Sequence, residues 1–210
     1  MKKIFLGFVV LFTISACTPT PAPATPAIIP VYSTSAAQPW LSALYDCSGT
    51  ASVLSRVDDP NAADLVLRVG EPEAFDSPAY QIDTEEILVV TQRQSPVQNL
   101  SVEEVRKLFS GLGDPKLQIW VYSSGEDVQE VFDRLVMHGE RIAPSAHLAV
   151  DPQQMSDTLI SEPNAVGIVP RHWKAGDARE VFSLPDVPVF AIMPREPQGD
   201  VKALIACLQK

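Results

Sequence analysis

Two short polar stretches carry the side chains best suited to hold a ligand. Ser33-Thr34-Ser35 follows the apolar run Ile28-Ile29-Pro30-Val31-Tyr32 and precedes a helical pattern. Ser123-Ser124-Gly125 follows a run with Leu117, Ile119, Trp120, Val121 and Tyr122 and precedes another. Hydroxyls and unpaired backbone N–H groups at a helix start suit an anion, because the positive end of the helix dipole lies there. The same residues also serve as plain N-caps, and residue type alone does not separate the two roles. Arg68, Arg93 and Arg171 are the cations placed near strand ends. Other chemistries lack an anchor. His138, His147 and His172 stand far apart with no Cys or His at ligand spacing, so neither metal nor cofactor is expected. There is no Gly-x-Ser-x-Gly elbow, Walker loop or Gly-x-Gly-x-x-Gly. Carboxylates are abundant, but without geometry none is marked as an acid–base pair, and no enzymatic activity is expected.

The elements that must position these turns are legible in the hydrophobic spacing. Ser101 and Glu104 form a capping box for a helix with Val102, Val105, Leu108 and Phe109 at helical spacing, stopped by Gly111 and Gly113. After the Ser123–Gly125 turn, Val128, Val131, Phe132, Leu135 and Val136 make a second helical stripe. Asp127 completes a Ser124-x-x-Asp pattern that predicts a second capping box. Near the start of the folded part, Trp40, Leu41, Leu44 and Tyr45 mark a helix with Pro39 in its first turn. Thr50–Val57 and Ala63–Val69 read as strands, the latter apolar enough to be buried on both faces. Residues 71–84 read as loop, and Glu86–Thr91 as the next strand. Asp151 and Pro152 open a further helix, 165–169 is a strand, 180–193 is extended, and Gly199–Gln209 is the last helix. Strands alternating with helices imply a mostly parallel α/β sheet.

The chain of 210 residues carries a formal net charge of −10, which argues against nucleic acid as a partner. Its first 17 residues have a basic start, Lys2-Lys3, and an apolar run, Ile4–Ile14, too short to span a bilayer comfortably. The segment ends Ile14-Ser15-Ala16-Cys17, which resembles a bacterial lipobox. That resemblance implies cleavage before Cys17, lipidation of its thiol, and an extracytoplasmic protein anchored to the cell membrane. Losing Lys2 and Lys3 leaves 14 basic against 26 acidic residues, or −12. Residues 18–29, rich in Pro and Thr, read as a polyproline-like linker spanning roughly 35 Å at ~3.1 Å per residue.

The order "LSVEEVRKLFSG", a strand ending in "SSG", a helix with Phe132 and then "SEPNAVGIVP" resembles the phosphate-type periplasmic solute-binding proteins over most of residues 30–210. The resemblance implies a two-lobed type II periplasmic-binding fold, with residues 30–86 and 185–210 in one lobe and 87–184 in the other. It implies a ligand cleft between the lobes, lined by Ser33, Thr34, Ser35, Arg68, Ser123, Ser124 and Gly125. It further implies a small anionic solute such as phosphate and an ABC-type permease as partner. The chain's two ends fall in the same lobe of such a fold, so Cys47 and Cys207 are expected to pair. Where the family carries Arg before Ser-Gly-Thr, this chain has Tyr122 and Ser123, and its Thr is replaced by Glu126, followed by Asp127. Those carboxylates complement the helix dipole themselves and repel a dianion. A binding-fold lipoprotein acting as sensor or scaffold without a small ligand is the competing expectation.

The anchor has a direct test. A thioether-linked diacyl anchor on Cys17 would supply two acyl chains, enough for stable attachment. Cys17→Ser is expected to release the protein from the membrane or leave the precursor uncleaved, as read by fractionation and intact mass. A mature, membrane-bound form in that variant would refute lipidation.

Overall fold

Apolar runs without a polar break become the central strands. Ala165–Pro170 is buried at all six positions, and Ile87–Val90 is buried throughout. The computed structural model describes residues 26–49, 52–72 and 76–210, so the leader, Cys17 and most of the expected linker lie outside it. In chain order the elements are β1 (Ala27–Ser33), α1 (Leu41–Ser48), β2 (Ser52–Arg56), β3 (Leu65–Val69), β4 (Ala79–Thr91) and α2 (Val102–Lys107). They continue with β5 (Gln118–Val121), α3 (Asp127–Phe132), β6 (His147–Leu148), α4 (Pro152–Ser161), β7 (Ala165–Pro170), β8 (Arg179–Ile192) and α5 (Gly199–Leu208).

The strands form one eight-stranded sheet in the order β2-β1-β3-β8-β4-β7-β5-β6. At one end β1 runs parallel to β2 and β3, and at the other β5 runs parallel to β6 and β7. The long strands β4 and β8 pair antiparallel along nearly their whole length and join the two ends. Their ladder shifts register between Glu85 and Ile87, opposite Pro185 and Asp186. Pro185 has no N–H to donate and Asp186 is left-handed at φ 57°, so the extra residue on β8 bulges and re-aims the sheet.

Two expectations need correcting. The linker does not run to residue 29: Ala27, Ile28 and Ile29 already pair with Ser52, Val53 and Leu54. The segment 71–84 is not loop throughout, since β4 begins at Ala79 and pairs with Ile192 of β8. In both cases a distant strand supplies the ladder, which local composition does not register.

The helix caps follow the sequence more closely. The Ser101 hydroxyl accepts from Glu104 N at 3.3 Å while Ser101 N donates to Glu104 Oε2 at 2.7 Å. Asp151 accepts from Gln154 N at 2.8 Å, with Pro152 in the first turn. The stripes after α2 and α3 continue as single wide turns, Leu108–Leu112 and Asp133–Met137, that the spacing did not foretell. Phe109 and Phe132 meet with ring centroids 4.8 Å apart and fix these helices against each other, adding about 1 kcal/mol beyond their burial. Between β2 and β3, Pro60–Ala62 makes only a 3-10 turn, so no helix covers that crossover.

Cys47 in α1 and Cys207 in α5 form a disulfide, with Cα atoms 5.8 Å apart. It closes a loop 160 residues apart in sequence, which the chain-entropy account values at up to about 5 kcal/mol. Reduction, or the Cys47→Ser/Cys207→Ser pair, is expected to lower unfolding free energy by about 2–5 kcal/mol in urea titrations. Two freely alkylated thiols in secreted, unreduced protein would contradict the bridge.

Candidate functional site

The carboxyl ends of β1 and β3 face the turn that leads from β5 into α3, and this is where the expected hydroxyls lie. Thr34 and Ser35 stand just past β1, while Arg68 and Val69 end β3. Each meets an acidic side chain at the start of α3. The Thr34 hydroxyl donates to Asp127 Oδ2 at 2.6 Å, and the Ser35 hydroxyl donates to Glu126 Oε2 at 3.2 Å. Val69 N donates to the same Asp127 Oδ2 at 2.8 Å, and Val128 N donates to Oδ1 at 2.9 Å. Arg68 pairs with Glu130 at 2.7 Å. Asp127 is only 2% exposed.

The constellation is a buried carboxylate with donors from three elements. A hydroxyl, a strand-end N–H and a helix-start N–H converge on one carboxylate, the donor set that would otherwise hold an oxyanion. The Thr34 hydroxyl also accepts from Ala37 N at 3.3 Å, within the turn that leads to the 3-10 turn Gln38–Trp40. The N-cap role that residue type allowed is not taken up, since neither Gln38–Trp40 nor α1 has a side-chain cap.

The contacts continue down α3. Glu130 faces Arg68, Val131 faces Gly70, and Arg134 donates to the Glu71 carbonyl at 2.9 Å. Gly70, at φ +75°, is required: a Cβ there would lie 2.1 Å from Val131 Cγ2. The sequence pattern marks Val131 only as part of a helical stripe and does not point to Val69 N, Gly70, Glu130 or Arg134 as partners. The helical spacing of residues 127, 130, 131 and 134 was the available signal, but it does not say what the stripe faces.

The other expected residues are placed differently. Ser33 donates to the carbonyl of Thr34 at 2.9 Å, within its own turn. Ser123, Ser124 and Gly125 are exposed, and the Ser123 carbonyl accepts from Glu126 N at 2.9 Å to close a turn. The second turn's hydroxyls are therefore not brought against Thr34 and Ser35; Glu126 and Asp127 are. The expected Ser124–Asp127 capping box is absent, because the helix starts two residues later with Glu126 as an N-cap that makes no side-chain bond to its own helix, while Asp127 turns toward β3. Arg93 pairs with Asp177, and Arg171 binds Glu86 and Glu180. Two buried polar atoms near these ends have no partner among the described residues, Arg68 Nε and the Tyr122 hydroxyl.

A second set of contacts ties the 3-10 turn Arg171–Trp173 after β7 to the start of α1. Trp173 Nε1 donates to the Ala36 carbonyl at 3.0 Å, and the His172 ring lies 4.6 Å from that of Trp40. His172 Nδ1 is 3.0 Å from the buried Glu85, and Trp40 Nε1 donates to Asp83 at 2.8 Å.

Burial raises the pKa of Asp127, opposed by its bonds from Thr34 and Val69 and by the Arg68 charge. Burial also raises Glu126, with Asp127, Asp151 and Glu130 adding to it against the Ser35 bond. A carboxyl whose folded pKa lies above its unfolded value holds more protons when folded, so its contribution to stability falls as pH rises from about 4 through the folded value. Asp127→Asn does not titrate. The stability of the natural protein minus that of Asp127→Asn is therefore expected to decline with pH across that window, measured by urea unfolding at stepped pH. A flat or rising difference would contradict the desolvated carboxylate.

No family profile matches the sequence, and no curated protein matches it. Among solved structures, a protein assigned as a phosphate ABC transporter substrate-binding protein from Clostridium perfringens, with bound phosphate, superposes at a TM-score of 0.74 with 10% identity. That alignment covers 86% of this chain and 92% of the other. An ABC-type phosphate transport receptor from Vibrio cholerae gives 0.65 at 15% identity, over 88% and 93%. An OxyR2 regulatory domain from Vibrio vulnificus gives 0.63 at 8% identity, over 91% and 97%. These likenesses establish architecture alone: the chain has the type II periplasmic-binding fold, shared by solute receptors and by regulatory domains.

Proposed function

We propose that the chain is a lipid-anchored, extracytoplasmic protein of the solute-binding fold that works with its cleft shut, as a sensor or scaffold. The observation that carries this reading is the Asp127 carboxylate held by Thr34, Val69 and Val128 where a bound anion would sit. A phosphate dianion would have to displace a tethered competitor whose effective concentration is of order millimolar or above. It would also come within ~4–5 Å of Glu126 and Asp127, where each pair of unit charges repels by about 3–4 kcal/mol at an effective dielectric near 20. The membrane anchor is supported by the leader ending at Cys17, and the Cys47–Cys207 bridge fits an oxidising compartment.

A second reading is the substrate-binding component of an ABC importer for phosphate or another small anion, with a permease as partner. It is favoured by the fold shared with phosphate receptors and by the unpartnered Arg68 Nε and Tyr122 hydroxyl, polar atoms that a ligand could satisfy on opening. Titration calorimetry with inorganic phosphate separates the two. The shut-cleft reading expects no binding tighter than millimolar by the natural protein, and a gain on Glu126→Thr/Asp127→Ser. Micromolar binding by the natural protein would overturn it in favour of the importer.

A further inference from the structure

Gln129 and Asp133 lie on a different face of α3 from the Asp127–Arg134 stripe. Between that face and the segment 139–148 is a hollow of about 650 Å³, within the usual range for small-molecule sites. Val121, Ile142, Ala146 and Leu148 give it apolar walls, and Leu148 is 60% exposed. Asp133 is one of two carboxylates in its lining, and its orientation is imposed. Gln129, 2% exposed, accepts from Tyr122 N at 3.0 Å through Oε1 and donates through Nε2 to Asp133 Oδ1 at 2.8 Å.

That chain of bonds accounts for Asp133 Oδ1 and leaves Oδ2 without a partner among the described residues. Asp133 also has no cation within ion-pair distance among them, unlike Glu130, Glu86, Glu180 and Asp177. The guanidinium next to it in sequence, Arg134, is directed to Glu71, and Arg106 donates to the Val136 carbonyl. Burial pushes Asp133 up, with only the Gln129 bond lowering it, as expected for a partly desolvated carboxylate lacking a countercharge. Glu140 adds a second negative group to the lining and Arg141 one positive group, so the hollow as a whole is negative.

We propose that this hollow binds a small organic ammonium ion with an apolar body. The ammonium donates to Asp133 Oδ2, and the hydrocarbon lies on Ile142, Ala146 and Leu148. An aliphatic or arylalkyl amine fits both demands; a carboxylate of the same size meets Asp133 and Glu140 as like charges. In the shut-cleft reading this places the ligand of a sensor outside the cleft.

The test is calorimetric titration of the mature chain with phenethylammonium and hexylammonium, against hexanoate, for the natural protein, Asp133→Asn and Leu148→Lys. The ammonium ions are expected to bind, hexanoate not. Asp133→Asn keeps an oxygen for the Gln129 bond and is expected to weaken ammonium binding at least ten-fold. Leu148→Lys, at an exposed position, repels the cation without disturbing the fold and keeps the test valid if Asp133→Asn is poorly folded. Absence of ammonium binding, an affinity unchanged from the natural protein in both variants, or hexanoate binding as tightly would overturn the proposal. Such a failure leaves the shut cleft standing, because phosphate titration reads different residues.

Discussion

The Asp127 carboxylate is the constraint around which the two ends of the sheet are arranged. It gathers three donors, one each from the loop after β1, the end of β3 and its own helix. Hydrogen bonds to a charged group contribute about 1.5–3 kcal/mol each, while burying an ion costs several kcal/mol. The two nearly cancel, and the raised pKa of Asp127 says that burial has the upper hand. The contact therefore contributes little net stability. Its effect is on geometry: with the carboxylate elsewhere, Val69 N and the Thr34 hydroxyl are left unpaired, so only one docking of α3 on β3 satisfies everything. Gly70 makes that docking sterically possible by admitting Val131.

The rest of the scaffold holds the ends in the pose this contact needs. The bulge at Pro185-Asp186 sets the bend of the β4–β8 pair, and Glu85, beside that shift, is buried against His172. Trp173 and Trp40 join the turn after β7 to the entrance of α1. Opening between the ends would break the Asp127, Glu126 and Glu130 contacts together with the Trp173 bond. A ligand can drive such a change only by its differential affinity for the open and closed states, and it would have to exceed the sum of those losses.

Local patterns told most of the fold. The capping box at Ser101, the Asp151-Pro152 start and the apolar runs of β3 and β7 are short-range features, and the structure places elements on each. What local patterns missed is long-range. Ala79–Asp83 is a short segment next to a Pro- and acid-rich stretch, and β8 supplies its partner, while β1 extends back to Ala27 because β2 lies beside it. The site was half legible. Thr34, Ser35 and Arg68 could be named from residue type and strand position. Their partners could not, because a carboxylate at a helix start reads equally as dipole complement, cap or repellent, and only its direction decides. Asp127 turns to β3, and its two oxygens are satisfied by backbone from both sides.

One architecture thus accommodates opposite uses of the same corner. Helix starts facing strand ends concentrate N–H groups and hydroxyls, and such a corner must be filled, since buried donors without acceptors cost about 1–3 kcal/mol each. A mobile oxyanion can fill it, which makes opening and closing reversible and reports on solute. A carboxylate carried by the chain can fill it too, which removes the dependence on solute and turns the corner into a permanent joint. In this chain Glu126 and Asp127 bring acceptors to a place where hydroxyl side chains would add donors. The fold is shared with receptors and regulatory domains alike, so the fold alone assigns no function to this chain, and the corner is where its residues differ in what they offer a ligand.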